Sequence, residues 1–261
     1  MASLDKQISA QIPDLLYTLA SRVFFYSSIY LSLFCMPGRV IAIGDIHGCS
    51  VALKSLVELI SPNPDDTIVT LGDYVDRGPD SRGVIDYLIE LKNRCRLVAI
   101  YGNHEEMMFE VVAEEKPPYD WLRHGGVDTL DSYGFVGDLK VIPESHREFL
   151  RNLLDHFQTE THFFVHANYD ANLALDQQPP ELLRWIKLTD LVPLPHKNGL
   201  KAVVGHTHHR EGEILELPHL ICLDTYCYGG FWLTAMDVES GQIWQVDRNG
   251  VVRQPIPSFG L

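Results

Sequence analysis

Apolar and polar positions change rhythm along this chain in a way that marks out its elements. From Arg39 onward, short runs rich in β-branched residues alternate with longer stretches whose apolar positions recur at helical spacing. The short runs predict strands at Val40–Ile43, Thr67–Leu71, Leu97–Tyr101, His162–Val165, Ala202–Val204, Leu220–Leu223, Phe231–Met236 and Ile243–Val246. The longer ones predict helices at Val51–Leu59, Ser81–Lys92, Glu105–Ala113, Tyr119–Tyr133, Pro143–Phe157 and Pro180–Lys187. An opening order of strand and helix in alternation implies parallel strands with crossover helices. The C-terminal part is mostly strand, with Gly229-Gly230 and Asn249-Gly250 as turn signals. The expectation is an α/β (mixed α+β) fold of two packed mixed sheets with helices outside. No internal repeat and no linker interrupts it.

Composition narrows the class. A chain of 261 residues, 46% hydrophobic, can bury one sizeable core and fits one large domain better than two small ones. The formal net charge of −14 excludes general nucleic-acid binding, which needs a basic face. Five cysteines without a C-x-x-C pair read as reduced thiols in a cytoplasmic protein. Residues 1–36 stand apart from residues 37–261, which read as the catalytic domain. From Leu15 to Met36 the chain is apolar enough to span a bilayer as a helix, but Arg22, Ser21, Ser27, Ser28 and Ser32 dilute it. The extension reads as an over-extended start before Met36 or a loose helix rather than a membrane anchor.

The chemistry lies just past the strand ends. Glycine-bounded polar clusters follow the first three strands: Gly44 to Gly48 (GDIHG), Gly72 to Gly78 (GDYVDRG) and Gly102 to Glu105 (GNHE). His166 and His206 follow two later strands in the same way. Ligands of open α/β sheets bind beyond the carboxyl ends of the strands, so all five clusters converge on one site. Asp45, His47, Asp73, Asn103, His166 and His206, without cysteine, suit two borderline divalent ions, Mn²⁺ first, with Fe²⁺ or Zn²⁺ also compatible. A carboxylate can bridge such a pair, which clamps phosphate and activates water. Arg77 is a fork for phosphate oxygens. His104 is a general acid for the leaving alcohol, oriented by Asp76. His124, His146, His156, His162, His196, His209 and His219 keep an ordinary structural reading.

The ordered triplet GDIHG, GDYVDRG and GNHE resembles the signature of the phosphoprotein phosphatase branch of the calcineurin-like metallophosphoesterases. That branch holds Ser/Thr protein phosphatases and symmetrical diadenosine tetraphosphate hydrolases. Trp121 to Gly126, and Leu223-Asp224-Thr225 with Tyr228-Gly229-Gly230, are similar to stretches of its small bacterial and phage members. The resemblance implies a β-sandwich flanked by helices. It implies one metal on Asp45, His47 and Asp73, and a second on Asp73 as bridge, Asn103, His166 and His206. Arg77 and Asn103 would meet the substrate phosphate, and His104 with Asp76 would form the acid dyad. Three departures stand out. Ala167 follows His166 where the family has glycine; Arg184 or Lys187 occupies the region of a second phosphate-binding arginine; and Gly205-His206-Thr207-His208 adds His208 as a further metal-ligand candidate.

The leading expectation is hydrolysis of a phosphorylated protein or small phosphoester by a Ser/Thr protein phosphatase. A symmetrical diadenosine tetraphosphate hydrolase is the alternative, and an inactive binding module a distant third. The preference rests on residues 136–145 and 169–180 as the segments available to wall a dinucleotide pocket. The second holds Asp170 and Asp176 but no arginine or lysine, and Tyr169 is its only aromatic residue.

Overall fold

The structure, a computed structural model, describes residues 38–113 and 115–254. The N-terminal extension, with Cys35, lies outside the described residues. Two five-stranded sheets form the body. In the first, β1 (Val40–Ile43), β2 (Thr67–Thr70) and β3 (Arg96–Ala99) run parallel. β9 (Trp232–Asp237) and β10 (Ile243–Asp247) extend it antiparallel, giving the order β10-β9-β1-β2-β3. In the second, β5 (His162–Phe164), β6 (Lys201–Val204) and β8 (Leu220–Cys222) are parallel. Antiparallel β4 (Phe157–Gln158) and β7 (Leu215–Leu217) close its edges. Two mixed sheets flanked by helices are what the element order predicts.

Strand periodicity explains the apolar runs. Successive side chains point to opposite faces, so a strand covered on both sides must be apolar throughout. Ile41 and Ile43 of β1 pack among the helices, while Ala42 faces the second sheet. Phe163 and Phe164 of β5, and Val203 against Ala202 and Val204 of β6, divide in the same way. The layer between the sheets holds Val69, Leu71, Val98 and Ile100 against Phe164, Val203, Ile221 and Leu223. It fixes the spacing of the strand ends from which the polar loops leave.

The helices start and stop for local reasons. α1 (Ser50–Ile60) buries Ala52, Leu53, Leu56, Val57 and Ile60 on one stripe and ends at Ser61 in the left-handed region. α2 (Ser81–Leu91) is capped by Asp80, whose side chain accepts from Gly83 N–H at 2.9 Å. α3 (Asn103–Val112) starts directly on the third polar cluster.

Three predicted helices differ. The stretch predicted at Tyr119–Tyr133 is helical at Tyr119–Trp121 and again at Val127–Ser132 (α4), with a wider turn at Leu122–Gly126 between them. Gly125 sits there at φ 109°, and a Cβ on it would come within 2.6 Å of the Arg77 backbone nitrogen. Close approach to Arg77 overrides helical continuity. The helix predicted at Pro143–Phe157 ends early, as α5 (Glu144–Arg151), because Leu154 is drawn into sheet bonding with Ala99 and Tyr101. The helix predicted to Lys187 stops at Arg184, as α6 (Pro180–Arg184). Strands β4 and β7 have too few residues to show a period in the sequence. Cys49, Cys95, Cys222 and Cys227 are buried free thiols. Among the described residues no helix is long and apolar enough to cross a membrane.

Candidate metal centre

The loops after β1 and β2 are tied to each other before any side chain is considered. Ile46 N–H and His47 N–H both donate to Asp73 C=O, at 3.1 and 2.7 Å, and Gly48 N–H donates to Tyr74 C=O at 2.9 Å. His47, Asp73, Asp76, Arg77 and His206 all have left-handed backbone, with φ of 42°, 50°, 70°, 67° and 61°. Each such residue costs about 1–3 kcal/mol and persists only where its surroundings over-determine it. For Asp73 that determination comes from Glu105, which also holds the two residues after Asp73. Its Oε2 accepts from Asp73 N–H at 2.8 Å and Gly102 N–H at 3.2 Å, and its Oε1 from Tyr74 N–H at 2.7 Å and Val75 N–H at 3.2 Å. One fully buried carboxylate therefore shapes two of the polar loops.

Three histidines of the site have one ring nitrogen anchored on a backbone carbonyl. His47 Nδ1 lies 2.9 Å from Val75 O, His166 Nδ1 2.7 Å from Leu71 O, and His206 Nε2 3.0 Å from Trp185 O. Anchoring one nitrogen fixes the tautomer and aims the other at the centre, as ligating histidines require. Among the described residues two groups of donors are close enough to share an ion: His47, Asp73 and His104, and Asp73, His166 and His206. Asp73 belongs to both, which is the placement a bridging carboxylate needs. Asn103 Oδ1 joins the second group, 3.1 Å from His166 Nε2. Asp45 stands apart from both groups and turns its oxygens to His206 N–H, at 3.1 and 2.9 Å. Gly205 is required beside it, since a Cβ there would fall 2.0 Å from Asp45 Oδ1. The donor set, carboxylate and amide oxygens with imidazole nitrogens, fits divalent ions.

Electrostatics point the same way. Burial pushes Asp45 well above the usual carboxylate range, and the nearby Asp224 and Asp73 push it further. Burial raises Asp224 as well. Asp73 stays far below that range in spite of burial, because His166, His104 and His47 surround it. Burial, with His166 beside it, pulls His206 down to about 3, which keeps it in the neutral form that binds metals. Three buried acids crowded together are unfavourable without a compensating positive charge.

Beside this nest lies the His104–Asp76 pair. His104 Nδ1 is 2.7 Å from Asp76 Oδ2, and its Nε2 faces Asp73 Oδ2 at 3.9 Å. Trp121 Nε1 donates to both Asp76 oxygens, at 2.9 and 3.1 Å, and Thr129 Oγ1 to Oδ1 at 2.7 Å. Burial pushes Asp76 up to about 7 against these donors, and pushes His104 down. Arg77 reaches over the first group, with Nη1 3.3 Å from His47 Nε2 and 2.8 Å from Tyr228 Oη.

The two cations left open by the sequence separate here. Arg184 is 9% exposed, pairs with both Glu106 and Asp155, and lies over Tyr101. Lys187 instead lines a recess of about 510 Å³ with Thr189, His206, His208 and Arg210. His208 falls in neither donor group and stacks on Tyr226. Sequence reasoning assigned no role to Glu105, Thr129, Asp224 or Tyr228. Glu105 carried a signal as an acid three residues after the glycine that opens a helix, and Asp224 and Tyr228 only as parts of stretches similar to the family's.

Comparison with known proteins agrees with this geometry. A symmetrical bis(5'-nucleosyl)-tetraphosphatase of Legionella pneumophila is 27% identical over 279 residues, covering 81% of this chain and 98% of that protein. Serine/threonine-protein phosphatase 1 of Salmonella typhimurium is 40% identical over 89 residues, covering 34% of this chain and 39% of that one. A crystal structure provisionally described as a diadenosine tetraphosphatase superposes with a TM-score of 0.61 at 24% identity, over 81% of this chain and 94% of that one, a likeness of fold. The calcineurin-like phosphoesterase profile matches residues 38–210, a span that includes both donor groups, the acid pair and Arg77. With that span covering most of the chain, the protein belongs to the calcineurin-like phosphoesterase family.

Proposed function

We propose that this phosphoesterase cleaves dinucleoside tetraphosphates symmetrically. The carrying observation is that two recesses bearing cations, which share no lining residue, border the candidate centre, one at His206 and the other at Arg77. One holds Lys187 and Arg210 beside His206 and His208, with Glu211 at its edge. The other, of about 660 Å³, holds Arg77 and Arg248 with Tyr228, Asn249, Asp80 and Asp128. Asp80 is engaged by Ser50 Oγ and Gly83 N–H, which both donate to it. In a chain with 21 basic and 35 acidic residues, cations collected at both mouths suit a polyanion that runs through the site. A relative of matching length with that activity in its name supports the reading.

The case for a protein substrate weakens with the walls on which it rested. Tyr169 is buried, with its hydroxyl donating to Leu194 C=O, so it offers no stacking face. The recesses are lined instead by residues 206–211 and by Tyr228, among others. A phosphoprotein substrate stays as a second reading because of the local 40% identity to a Ser/Thr phosphatase.

In the proposed mechanism Asp45, His47 and Asp73 would hold one ion, Asp45 joining from outside the donor group that His47 and Asp73 form, and Asp73, Asn103, His166 and His206 would hold the other. When bound, two divalent ions supply a nucleophile from water at neutral pH and offset charge developing on the phosphoryl oxygens. Arg77 and Asn103 orient the phosphoryl group, and Lys187 rather than Arg184 meets the neighbouring phosphate. His104 Nε2 would give a proton to the leaving oxygen, while Asp76, whose carboxyl burial pushes up to about 7, steadies the ring and supplies a proton to Nδ1 across their 2.7 Å contact. The test is kcat/KM on diadenosine tetraphosphate against a phosphothreonine peptide at equal Mn²⁺, with products separated. At least tenfold preference for the dinucleotide, giving ADP alone, is expected. AMP with ATP, or preference for the peptide, would overturn the proposal.

A further inference from the structure

We infer that His208, backed by Tyr226, is the face on which a nucleobase of the substrate stacks. The inference rests on the dinucleotide reading and names the element that recognises the base. His208 follows a candidate ligand by two residues, yet its ring lies parallel to that of Tyr226, with centroids 4.2 Å apart and planes 11° from parallel. Tyr226 reaches this place through a left-handed backbone, φ 62°, which a tyrosine adopts only under constraint.

The constraints are visible. Tyr226 N–H donates to buried Asp224 Oδ1 at 3.0 Å, and Phe231 N–H donates to Tyr226 C=O at 3.2 Å. Gly229 passes against the ring so closely that a Cβ there would sit 2.2 Å from Tyr226 Cε1. The edge of Tyr228 meets Tyr226 at 4.8 Å and 85°. Phe231 lies 23° from parallel with it at 6.2 Å, and packs on Gly212 of the loop that carries His208. A strained tyrosine locked on several sides makes a rigid support for the imidazole above it.

The half-buried His208 lines the recess that holds Lys187 and Arg210, neither of which has an ion-pair partner among the described residues. A flat π face beside two free cations and the candidate metal nest matches the parts of a nucleotide in order. The base stacks, and the phosphates meet cations and then metals. A phosphoserine or phosphothreonine side chain has no planar group to place there.

The experiment uses the Mn²⁺-loaded full chain, p-nitrophenyl phosphate as reporter, and AMP and ribose 5-phosphate as competitive inhibitors. The two differ only in the base, so the ratio of their Ki values isolates stacking from phosphate binding. Wild type should hold AMP about tenfold tighter. His208→Ala and Tyr226→Gly should bring the ratio near one, and His208→Phe, which restores a flat ring, should retain it. An unchanged ratio in His208→Ala overturns the inference. So does equal weakening of both inhibitors in His208→Ala and His208→Phe, the signature of a metal ligand. A wild-type ratio near one with diadenosine tetraphosphate still cleaved defeats the stacking platform and leaves the proposed function intact. A ratio that collapses in His208→Ala without dinucleotide cleavage does the reverse.

Discussion

His104 Nδ1 lies 2.7 Å from Asp76 Oδ2, and both side chains are almost completely buried. His104 is thus held from behind, by Asp76 with its Trp121 and Thr129 donors, and presents only Nε2 to the centre. Replacing His104 with Asn should lower kcat about 10²–10³-fold on an alkyl phosphate, as loss of a general acid does. On p-nitrophenyl phosphate the loss should be much smaller, because that leaving oxygen barely needs a proton. Equal losses on the two substrates would rule out proton donation.

Asp45, Asp73 and Asp224 are 4%, 2% and 3% exposed; histidines offset the charge around Asp73 and Asp224, but burial and the two neighbouring acids still leave Asp45 pushed well up in spite of Arg77. Divalent ions should therefore bind the folded state strongly and support it. Chelation should abolish activity on every phosphoester, and Mn²⁺ should restore it. At a free concentration of about 100 Kd, one ion should add about 2.7 kcal/mol of stability. For a domain of this size that is a rise in Tm of roughly 5–10 °C. Full turnover after exhaustive metal stripping, checked by elemental analysis, would refute a metal mechanism.

Glu105 collects four backbone N–H groups from two loops, two on each oxygen, an arrangement that favours the ionised carboxylate against the upward push of burial and of Asp73. Glu105→Gln keeps the shape but turns an NH₂ group toward two of those donors, whichever way the amide is flipped. The expected cost is on the order of 3 kcal/mol in urea unfolding. The strained Asp73 should loosen with it, weakening Mn²⁺ binding by about 10–100-fold, as for loss of other groups that orient ligands. A variant as stable as wild type with unchanged metal affinity would show that the loops hold themselves.

What could be read in the sequence depended on range. Parallel strands buried on both faces leave continuous apolar runs, so β1, β2, β5 and β6 and the glycine-bounded clusters behind them are visible locally. The break in the helix predicted at Tyr119–Tyr133 is set by contact between Gly125 and Arg77, far apart in sequence. The role of Glu105 is hidden for the same reason, since three of its four donors lie about 30 residues upstream. Tyr169 looked like a free aromatic wall because nothing nearby in sequence announces the core that buries it. Arg184 and Lys187 could not be separated by spacing. Only the fold shows that one guanidinium is committed to Glu106 and Asp155.

At the opposite ends of the same strands, Asp66 sets the alignment on which the loops depend. Its carboxylate accepts from Arg39 N–H at 2.8 Å, Asn63 N–H at 2.9 Å and the Arg39 guanidinium at 2.6 Å. Its backbone carbonyl takes Arg96 N–H at 3.1 Å, and Thr67 N–H donates to Arg39 C=O at 2.8 Å, so β1, β2 and β3 are registered at this point. Burial pushes the Asp66 carboxyl up, but the Arg39 guanidinium and the two N–H donors more than offset it, so it lies below its usual value. A carboxyl depressed in the folded state contributes stability that is complete above its unfolded pKa of about 3.9 and is lost as pH falls through the lower folded value. Asp66→Asn should therefore cost about 1–3 kcal/mol at pH 7, where the charge-assisted bonds are intact in wild type. Near pH 2–3 wild type has given up much of that contribution, and the two proteins should approach each other. Urea unfolding of both at pH 7 and pH 3 measures the gap directly. A gap that stays constant between those pH values would mean that Asp66 acts by shape alone, and that its charge does not hold the strands in register.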